Sequence, residues 1–254
     1  MKGNSLKLFL CLAILALAMT ACGLPVGGGG QSVSALPTAQ QATQPAAQPS
    51  SGKYFQEDFN STPANWSQFV INGSKVPKGG NPELVQGNFG TMSVGVKDGF
   101  LVFDLGGNGQ WVYSTYDAQQ YDDVRVDISA ENRGSNDNAV GLICRYDGTE
   151  WYEFDVANTG LYAIYEAAVQ SDQTVIYSKL ADGGYSKYKS GKDTNQLGIT
   201  CQARTLTLFI NGFQVKQFDD NQYELKSGKI GVSVLSNVTP PTTVGIDWVK
   251  ISQP

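Results

Sequence analysis

The chain has 254 residues, 18 of them basic and 23 acidic, which gives a formal net charge of −5, and it contains no histidine. The lack of histidine excludes Ser-His-Asp and Cys-His catalysis, histidine-ligated zinc and imidazole acid–base chemistry. An acidic chain is also a poor ligand for nucleic acid, whose binding is dominated by neutralisation of phosphates. Any chemistry must therefore come from carboxylates, tyrosines, lysines or oxygen-bound calcium.

The N-terminus has the pattern of an export signal. Lys2 and Lys7 precede the apolar run Leu8–Ala18, which is too short to be a permanent membrane helix. The run ends in Met19-Thr20-Ala21-Cys22-Gly23, which resembles the bacterial lipobox except that Met19 replaces the usual leucine. The resemblance implies cleavage before Cys22 and attachment of lipid, with acyl chains such as palmitate, to its sulfur. An ordinary cleaved signal with an incidental cysteine is the alternative.

Residues 1–21 are thus predicted to be a lipoprotein signal peptide, residues 22–52 a lipidated linker and residues 53–254 a folded domain. The linker is rich in Gly, Gln, Ala, Pro, Ser and Thr and carries no charge, so it is predicted to be a disordered tether. We expect the protein to be exported and anchored to a bacterial membrane. Its domain would face the extracellular or periplasmic side.

The remaining chain shows short apolar, β-branched and aromatic runs between turn signals, which is typical of an all-β sandwich or barrel with little helix. Asn211-Gly212 and Asp98-Gly99 are predicted to be hairpin turns, and Asp182–Gln196 is predicted to be a long loop or an irregular crossover. The predicted strands are Tyr54–Phe59, Thr91–Lys97, Phe100–Leu105, Trp111–Asp117, Val124–Ala130, Ala139–Tyr146, Trp151–Ala157, Leu161–Glu166, Thr174–Leu180, Leu197–Ala203, Leu206–Ile210, Phe213–Phe218, Ile230–Leu235 and Thr243–Ile251.

Two cysteines lie on apolar faces of separate predicted strands. Cys144 is in register with Val140 and Leu142, and Cys201 shares a face with Leu197 and Ile199. Once the signal is removed and Cys22 is acylated, these are the two thiols left in an oxidising compartment, so we predict a disulfide. Two small buried residues that merely pack are the alternative.

Several motifs together resemble the concanavalin A-like jelly roll, in particular its laminin-G-like branch and the domain named for 3-keto-disaccharide hydrolases. The resemblance covers the whole domain and implies two curved antiparallel sheets, adjacent first and last strands, and a concave face that often meets carbohydrate. The motifs are Glu57-Asp58-Phe59-Asn60 with Trp66, Gly141–Tyr146, Tyr152-Glu153-Phe154, Gly160-Leu161-Tyr162, Cys201–Gly212 and Ile246-Asp247-Trp248-Val249.

Trp151, Glu153 and Asp155 alternate with Tyr152, Phe154 and Val156, which are the better core candidates. The first set offers an aromatic platform beside two carboxylates, which is suited to binding a glycan; an ordinary solvated strand face is the alternative. Laminarinase-like glycosidases on this fold carry Glu-x-Asp-x-x-Glu. The order Glu150-x-x-Glu153-x-Asp155 does not match it, and no third glutamate follows. If the chain is an enzyme, Glu153 and Asp155 are the candidate catalytic residues.

Three further residues are candidate ligand contacts. Trp111 and Tyr113 share a strand face next to a glycine-rich loop, where they either edge a groove or close the core. Arg145 is out of phase with Cys144 and is predicted to point outward, to contact a ligand or to pair with Asp155 or Glu153. Asp58 and Asp247 would approach each other if the first and last strands pair, which makes them weak candidates for a structural calcium site.

The leading hypothesis is a non-catalytic, surface-anchored module that binds glycan or another extracellular ligand, without a cofactor and as a monomer. An enzyme acting on 3-keto-disaccharides or β-glucan is the first alternative. A structural or partner-binding component of the cell envelope is the second.

Overall fold

The computed structural model describes residues 52–73, 81–85 and 91–254, all within one unit, Ala46–Pro254. The predicted signal peptide, Cys22 and nearly all of the predicted tether lie outside the described residues. None of the described segments forms a helix that is long and apolar enough to cross a membrane.

In its described ranges the chain forms sixteen strands. They are β1 (Phe55–Glu57), β2 (Trp66–Asn72), β3 (Glu83–Val85), β4 (Met92–Lys97), β5 (Phe100–Leu105), β6 (Gln110–Tyr121), β7 (Val124–Asn132), β8 (Asn138–Tyr146), β9 (Glu150–Ala157), β10 (Leu161–Val169), β11 (Val175–Gly184), β12 (Thr194–Gln202), β13 (Thr205–Ile210), β14 (Phe213–Asp219), β15 (Gly228–Ser236) and β16 (Thr242–Ser252).

The strands form two antiparallel sheets of the predicted jelly-roll sandwich. Sheet A has the order β14-β13-β12-β7-β16-β5-β4, with β1 also paired to β16, and sheet B has the order β11-β10-β9-β8-β15-β6-β2-β3. The first and last strands are neighbours, as expected, because Phe55 pairs with Ile251. Alternation along each strand places one face of each sheet in the main core. On β7, for example, Val124 and Val126 are buried while Arg125 is partly exposed.

A disulfide joins the two sheets through this core. Cys144 on β8 of sheet B is bonded to Cys201 on β12 of sheet A, and both are fully buried. Tyr152, Phe154 and Val156 on β9 pack in the same core, as the alternation predicted. The bond therefore links β8 and β12 where the two sheets face each other.

The opposite face of sheet B, here called the inner face, encloses a second apolar cluster. Sheet B curls until its two edge strands meet: Glu83 on β3 lies opposite Thr174, just before β11. The Leu84 amide donates to the Gln173 carbonyl at 2.9 Å, and the Val175 amide donates to the Pro82 carbonyl at 2.8 Å. The buried members of the enclosed cluster are Ile71, Tyr113, Ile143, Trp151, Ala167 and Val175.

Two expectations about local structure have different outcomes. Both hairpin turns are confirmed, since Asn211 and Gly212 have φ of 50° and 80°, the positive values that a type I′ turn requires. The predicted loop Asp182–Gln196 is wrong at both ends, because β11 continues to Gly184 and β12 begins at Thr194.

Candidate functional site

Strand β9 carries Trp151, Glu153 and Asp155 on the inner face of sheet B. The three share one face, as the alternation predicted, but that face is not an ordinary solvated surface. Trp151 and Glu153 have no exposed area, whereas Asp155 is partly exposed. Asp155 is therefore the member of the set that a ligand reaches first.

The Glu153 carboxylate is held by donors from three strands. The Tyr113 hydroxyl donates to it at 3.0 and 2.8 Å, the Trp151 indole N–H at 2.9 Å and the Ser233 hydroxyl at 3.0 Å. Hydrogen bonds to a charged acceptor are the strong ones, and here they offset the cost of burying the carboxylate. Glu153 is accordingly fixed in place and its oxygens are occupied.

Asp155 lies against Glu153, close enough for the two carboxyl groups to share a hydrogen bond. Burial and the Glu153 charge raise the pKa of Asp155 well above its ordinary value. Burial also raises the pKa of Glu153, but the bonds from Trp151, Tyr113 and Ser233 oppose that rise. The pair thus holds one proton, and the proton resides on Asp155.

Gly141, on the neighbouring strand β8, leaves the space that the Asp155 carboxyl group occupies. A Cβ at this position would lie 2.6 Å from Asp155 Oδ1 and 2.1 Å from Ser233 Oγ. A larger side chain here would displace both groups, so the glycine is a requirement of the carboxyl pair.

Aromatic rings surround the pair on the inner face. The Tyr177 hydroxyl lies 2.8 Å from that of Tyr113, and the Tyr177 ring stacks on Trp111 with centroids 5.7 Å apart. Tyr165 meets Tyr177 edge-on at 5.8 Å. The structure therefore brings the predicted candidates Trp111 and Tyr113 together with Trp151. It adds Tyr165 and Tyr177, which sequence reasoning missed.

Asp182 is a further carboxylate that sequence reasoning missed, because it was placed in a loop. Ala163 on β10 pairs with Asp155 on one side and with Asp182 on the other, so all three residues share the inner face. Lys179 lies 2.9 Å from the Asp182 carboxylate and lowers its pKa. Burial raises the pKa of Tyr165, and the negative charges of the carboxylates around it, such as Glu153 and Asp182, raise it further.

The expectation that Arg145 points outward is wrong. Arg145 is only 3% exposed, and its guanidinium donates to the Asp122 carbonyl at 3.0 Å and to the Leu225 carbonyl at 2.5 Å. It sits at an irregularity of the β8–β15 pairing with a φ of 59°, and such bulges re-aim a side chain. Arg145 fixes neighbouring loops and pairs with neither Glu153 nor Asp155.

The calcium prediction gains no further ligand. β1 and β16 do pair, the described ranges contain no group of three or more histidine, cysteine, aspartate or glutamate side chains that could hold a metal ion, and the calcium site stays a prediction. Asp58 and Asp247 alone fall short of the six to eight oxygens that calcium takes.

The comparison with Glu-x-Asp-x-x-Glu changes when it begins at Glu153 rather than Glu150. Glu153-Phe154-Asp155 then matches the first half of the pattern, and Asn158 stands at the place of the third glutamate. Asn158 is 3% exposed, and neither polar atom of its side chain has a partner among the described residues. The sequence thus contains two of the three acidic residues of the pattern, with asparagine in place of the third.

Neither the family models nor the curated protein sequences match this chain. Solved structures do match, among them three that are covered over nearly their whole length. A Bacteroides ovatus mixed-linkage glucan GH16 protein has a TM-score of 0.55 and 15% identity, covering 78% of this chain and 99% of its own. Bacillus licheniformis β-glucanase has a TM-score of 0.54 and 13% identity, and the match covers 80% of this chain and 100% of the glucanase. A Bacillus subtilis protein of unknown function with a galectin-like fold has a TM-score of 0.55 and 9% identity, and the match covers 80% of this chain and 96% of that protein.

These likenesses show the fold, which is the concanavalin A-like jelly roll that the sequence resembled. They also correct the leading functional hypothesis. Several of the matching structures are glucanases or a laminarinase by name, so the enzyme alternative fits them better than a non-catalytic binding module does.

Proposed function

We propose that this chain is a glycoside hydrolase-type enzyme acting on β-glucan or a related β-glucoside. The observation that carries the proposal is that Asp155, which is partly exposed, and Asp182, which is exposed, lie on either side of Ala163 on the inner face of sheet B. Asp155 holds a proton because it is buried against Glu153, and Asp182 is kept ionised by Lys179. In many enzymes the general acid and the general base are two nearby titratable groups whose environments shift their pKa values in opposite directions.

The spacing of the two groups favours a single displacement with inversion. Asp155 and Asp182 lie on either side of Ala163, so their Cα atoms are two strand spacings, about 9.5 Å, apart, and because both side chains project from the same face we expect their carboxyl groups at a comparable separation. Inverting glycosidases separate their carboxyl groups by roughly 6.5–9.5 Å to leave room for a water molecule. Glu153 and Asp155 are too close together to act as the acid and the base of this reaction, because two carboxyl groups in contact cannot lie on either side of a glycosidic bond.

In the proposed reaction Asp155 gives its proton to the glycosidic oxygen as the bond to the anomeric carbon breaks. A water molecule attacks that carbon from the other side and gives its proton to Asp182. Glu153 is a positioning residue: it contacts Asp155 rather than substrate, and its charge keeps the proton on Asp155. The aromatic rings of Trp111, Tyr165 and Tyr177 offer faces on which sugar rings stack.

The test is hydrolysis of mixed-linkage β-glucan, β-1,3-glucan and short aryl β-glucosides, compared across single variants. Asp155→Asn and Asp182→Asn should each lower kcat by at least about a hundredfold, the usual effect of losing a general acid or base. Activity should fall as the pH rises through the raised pKa of Asp155, and the product should first appear as the inverted anomer.

Asp104→Asn is the matched control, because Asp104 is exposed on sheet A and lies on β5. It should retain the activity of the unaltered protein. If each single variant, Asp155→Asn and Asp182→Asn, still hydrolyses the substrates at an undiminished rate, these roles are refuted. If the unaltered protein hydrolyses none of the β-glucosides, the proposed function is refuted.

A further inference from the structure

The closure of sheet B changes what kind of substrate can reach the carboxyl groups. An open concave sheet is a groove in which a polymer can lie across the strands. Here the strands at the two edges, β3 and β11, are joined by the Leu84–Gln173 and Val175–Pro82 backbone bonds of 2.9 and 2.8 Å. The described residues on the inner face therefore line a curled wall rather than a groove that is open along both edges.

Aromatic side chains also fill the interior of this wall at the level of Trp151. Phe69 on β2 stacks on Tyr113 at 4.3 Å and on Tyr146 at 4.9 Å, and it meets Trp151 on β9 edge-on at 5.8 Å. β2 and β9 are separated by three strands in sheet B, so these rings meet across the interior. Tyr113 and Trp151 have no exposed area, so the described residues leave no passage for a sugar at this level.

The partly exposed groups lie to one side of this plug. Pairing places Trp151 level with Ala167 and Tyr177, Asp155 level with Ala163 and Asp182, and Glu153 between the two rows. Along β9 the side chains become more accessible in that direction, from buried Trp151 and Glu153 to partly exposed Asp155, and on β11 both Lys179 and Asp182 are exposed. The described residues therefore run from a closed, aromatic end at Trp151 to an accessible end at Lys179 and Asp182.

We infer that this site is a blind pocket that accepts the end of a glucan chain or a short β-glucoside, and that it does not cleave internal bonds of a polymer. The inference rests on the proposed function and narrows its substrate class. It departs from structural neighbours such as the endo-glucanase from Bacteroides ovatus, which is named for internal cleavage.

The closure can be locked without touching the pocket. Glu83 and Thr174 are directly opposite each other, and the flanking residues make the backbone bonds, so their Cα atoms are about 4.5 Å apart. That distance lies within the range of a disulfide. Leu84 and Val175 belong to the enclosed cluster, and alternation turns Glu83 and Thr174 to the outside. The double variant Glu83→Cys with Thr174→Cys therefore fixes the seam from outside, and Thr174→Cys alone is the matched control.

The experiment compares the unaltered protein, the locked variant and the control on three kinds of substrate: polymeric β-glucan, oligosaccharides blocked at either end, and an aryl β-glucoside. We expect reducing sugar to appear well before the viscosity of the polymer falls. One of the two end-blocked oligosaccharides should resist cleavage, and the locked variant should match the control within about twofold in kcat/KM.

Rapid loss of viscosity, or equal cleavage of both blocked oligosaccharides, would overturn the blind pocket and leave the proposed function standing. A kcat/KM of the locked variant at least about tenfold below that of Thr174→Cys would also overturn the blind pocket, because substrate entry would then require the seam to open. Failure of the unaltered protein to hydrolyse any of the three substrates would remove the proposed function, and the inference would fall with it.

Discussion

At the scale of single residues, the Glu153–Asp155 pair shows how a fold can fix a protonation state without histidine. Two carboxyl groups in contact, one of them fully buried, cannot both be ionised without a large penalty, so the pair retains one proton. The donors decide where that proton resides. Tyr113, Trp151 and Ser233 all donate to Glu153, which makes Glu153 the better anion and leaves Asp155 as the acid.

Replacing Asp155 by Asn should make the protein more stable at neutral pH. The folded state keeps a proton on Asp155 that the unfolded chain, with an ordinary pKa of 3.8, has released. Stability therefore declines as the pH rises from about 4 through the raised pKa, by up to about 1.4 kcal/mol per pH unit. Asparagine cannot titrate and still donates to Glu153, so this decline should largely disappear in Asp155→Asn.

Urea unfolding at pH 4, 5.5 and 7 measures this effect, with Asp104→Asn as a control for the loss of one negative charge. The two variants should differ most at pH 7 and least at pH 4. Parallel pH profiles for the unaltered protein and Asp155→Asn would contradict a protonated Asp155.

At the scale of strands and sheets, the closure of sheet B depends on side chains that fill the interior. Trp151 meets Phe69, Tyr113, Tyr146 and Tyr177, each edge-on with centroids 5.6–6.3 Å apart. Such pairs contribute beyond the area they bury. Trp151 is therefore the central ring of the plug as well as a donor to Glu153.

Trp151→Ala should lower the free energy of unfolding by about 3–5 kcal/mol, since it leaves a large cavity and removes a bond to a buried carboxylate. Phe213→Ala is the matched aromatic control, because Phe213 is 57% exposed, and it should change stability by no more than about 0.5 kcal/mol. Chemical denaturation measures both. A loss below about 1 kcal/mol for Trp151→Ala would mean that the interior is not packed as described.

The sequence predicted what depends on neighbouring residues and missed what depends on distant ones. Alternation along β9 placed Trp151, Glu153 and Asp155 on one face, and Asn211-Gly212 marked its hairpin, because both signals are local. β3 has only three residues, and its partner near Thr174 is remote in the chain. No local sequence pattern therefore predicted that β3 and β11 close sheet B. The burial of Glu153, which follows from this closure, was not predicted either.

Arg145 and Asp182 were misplaced for a related reason. Strict alternation predicts that the Arg145 side chain points outward. The bulge in β8 instead directs it toward the loops that contain Asp122 and Leu225. Asp182 follows a register shift between β10 and β11, and its Gly- and Ser-rich surroundings resembled a loop. Irregular pairing of this kind is set by the partner strand and is not encoded in the residues of one strand.

At the scale of the whole molecule, the Cys144–Cys201 disulfide is a covalent link between the two sheets. The two cysteines are 57 residues apart in sequence, and a loop of that size removes considerable freedom from the unfolded chain. Replacing both cysteines by alanine should therefore cost about 4 kcal/mol. Urea unfolding of the double variant measures the loss, and a difference below about 1 kcal/mol would show that packing alone holds the sheets together.

The seam between β3 and β11 also has a consequence for how the domain assembles. Adjacent strands such as β13 and β14 meet through a two-residue turn and can pair at once, whereas residues 83 and 174 must find each other after the strands between them are in place. Two backbone bonds then close the ring, so this edge should be the first part of sheet B to fray. The amide hydrogens of Leu84 and Val175 would exchange with solvent sooner than those in the middle of β8 and β9.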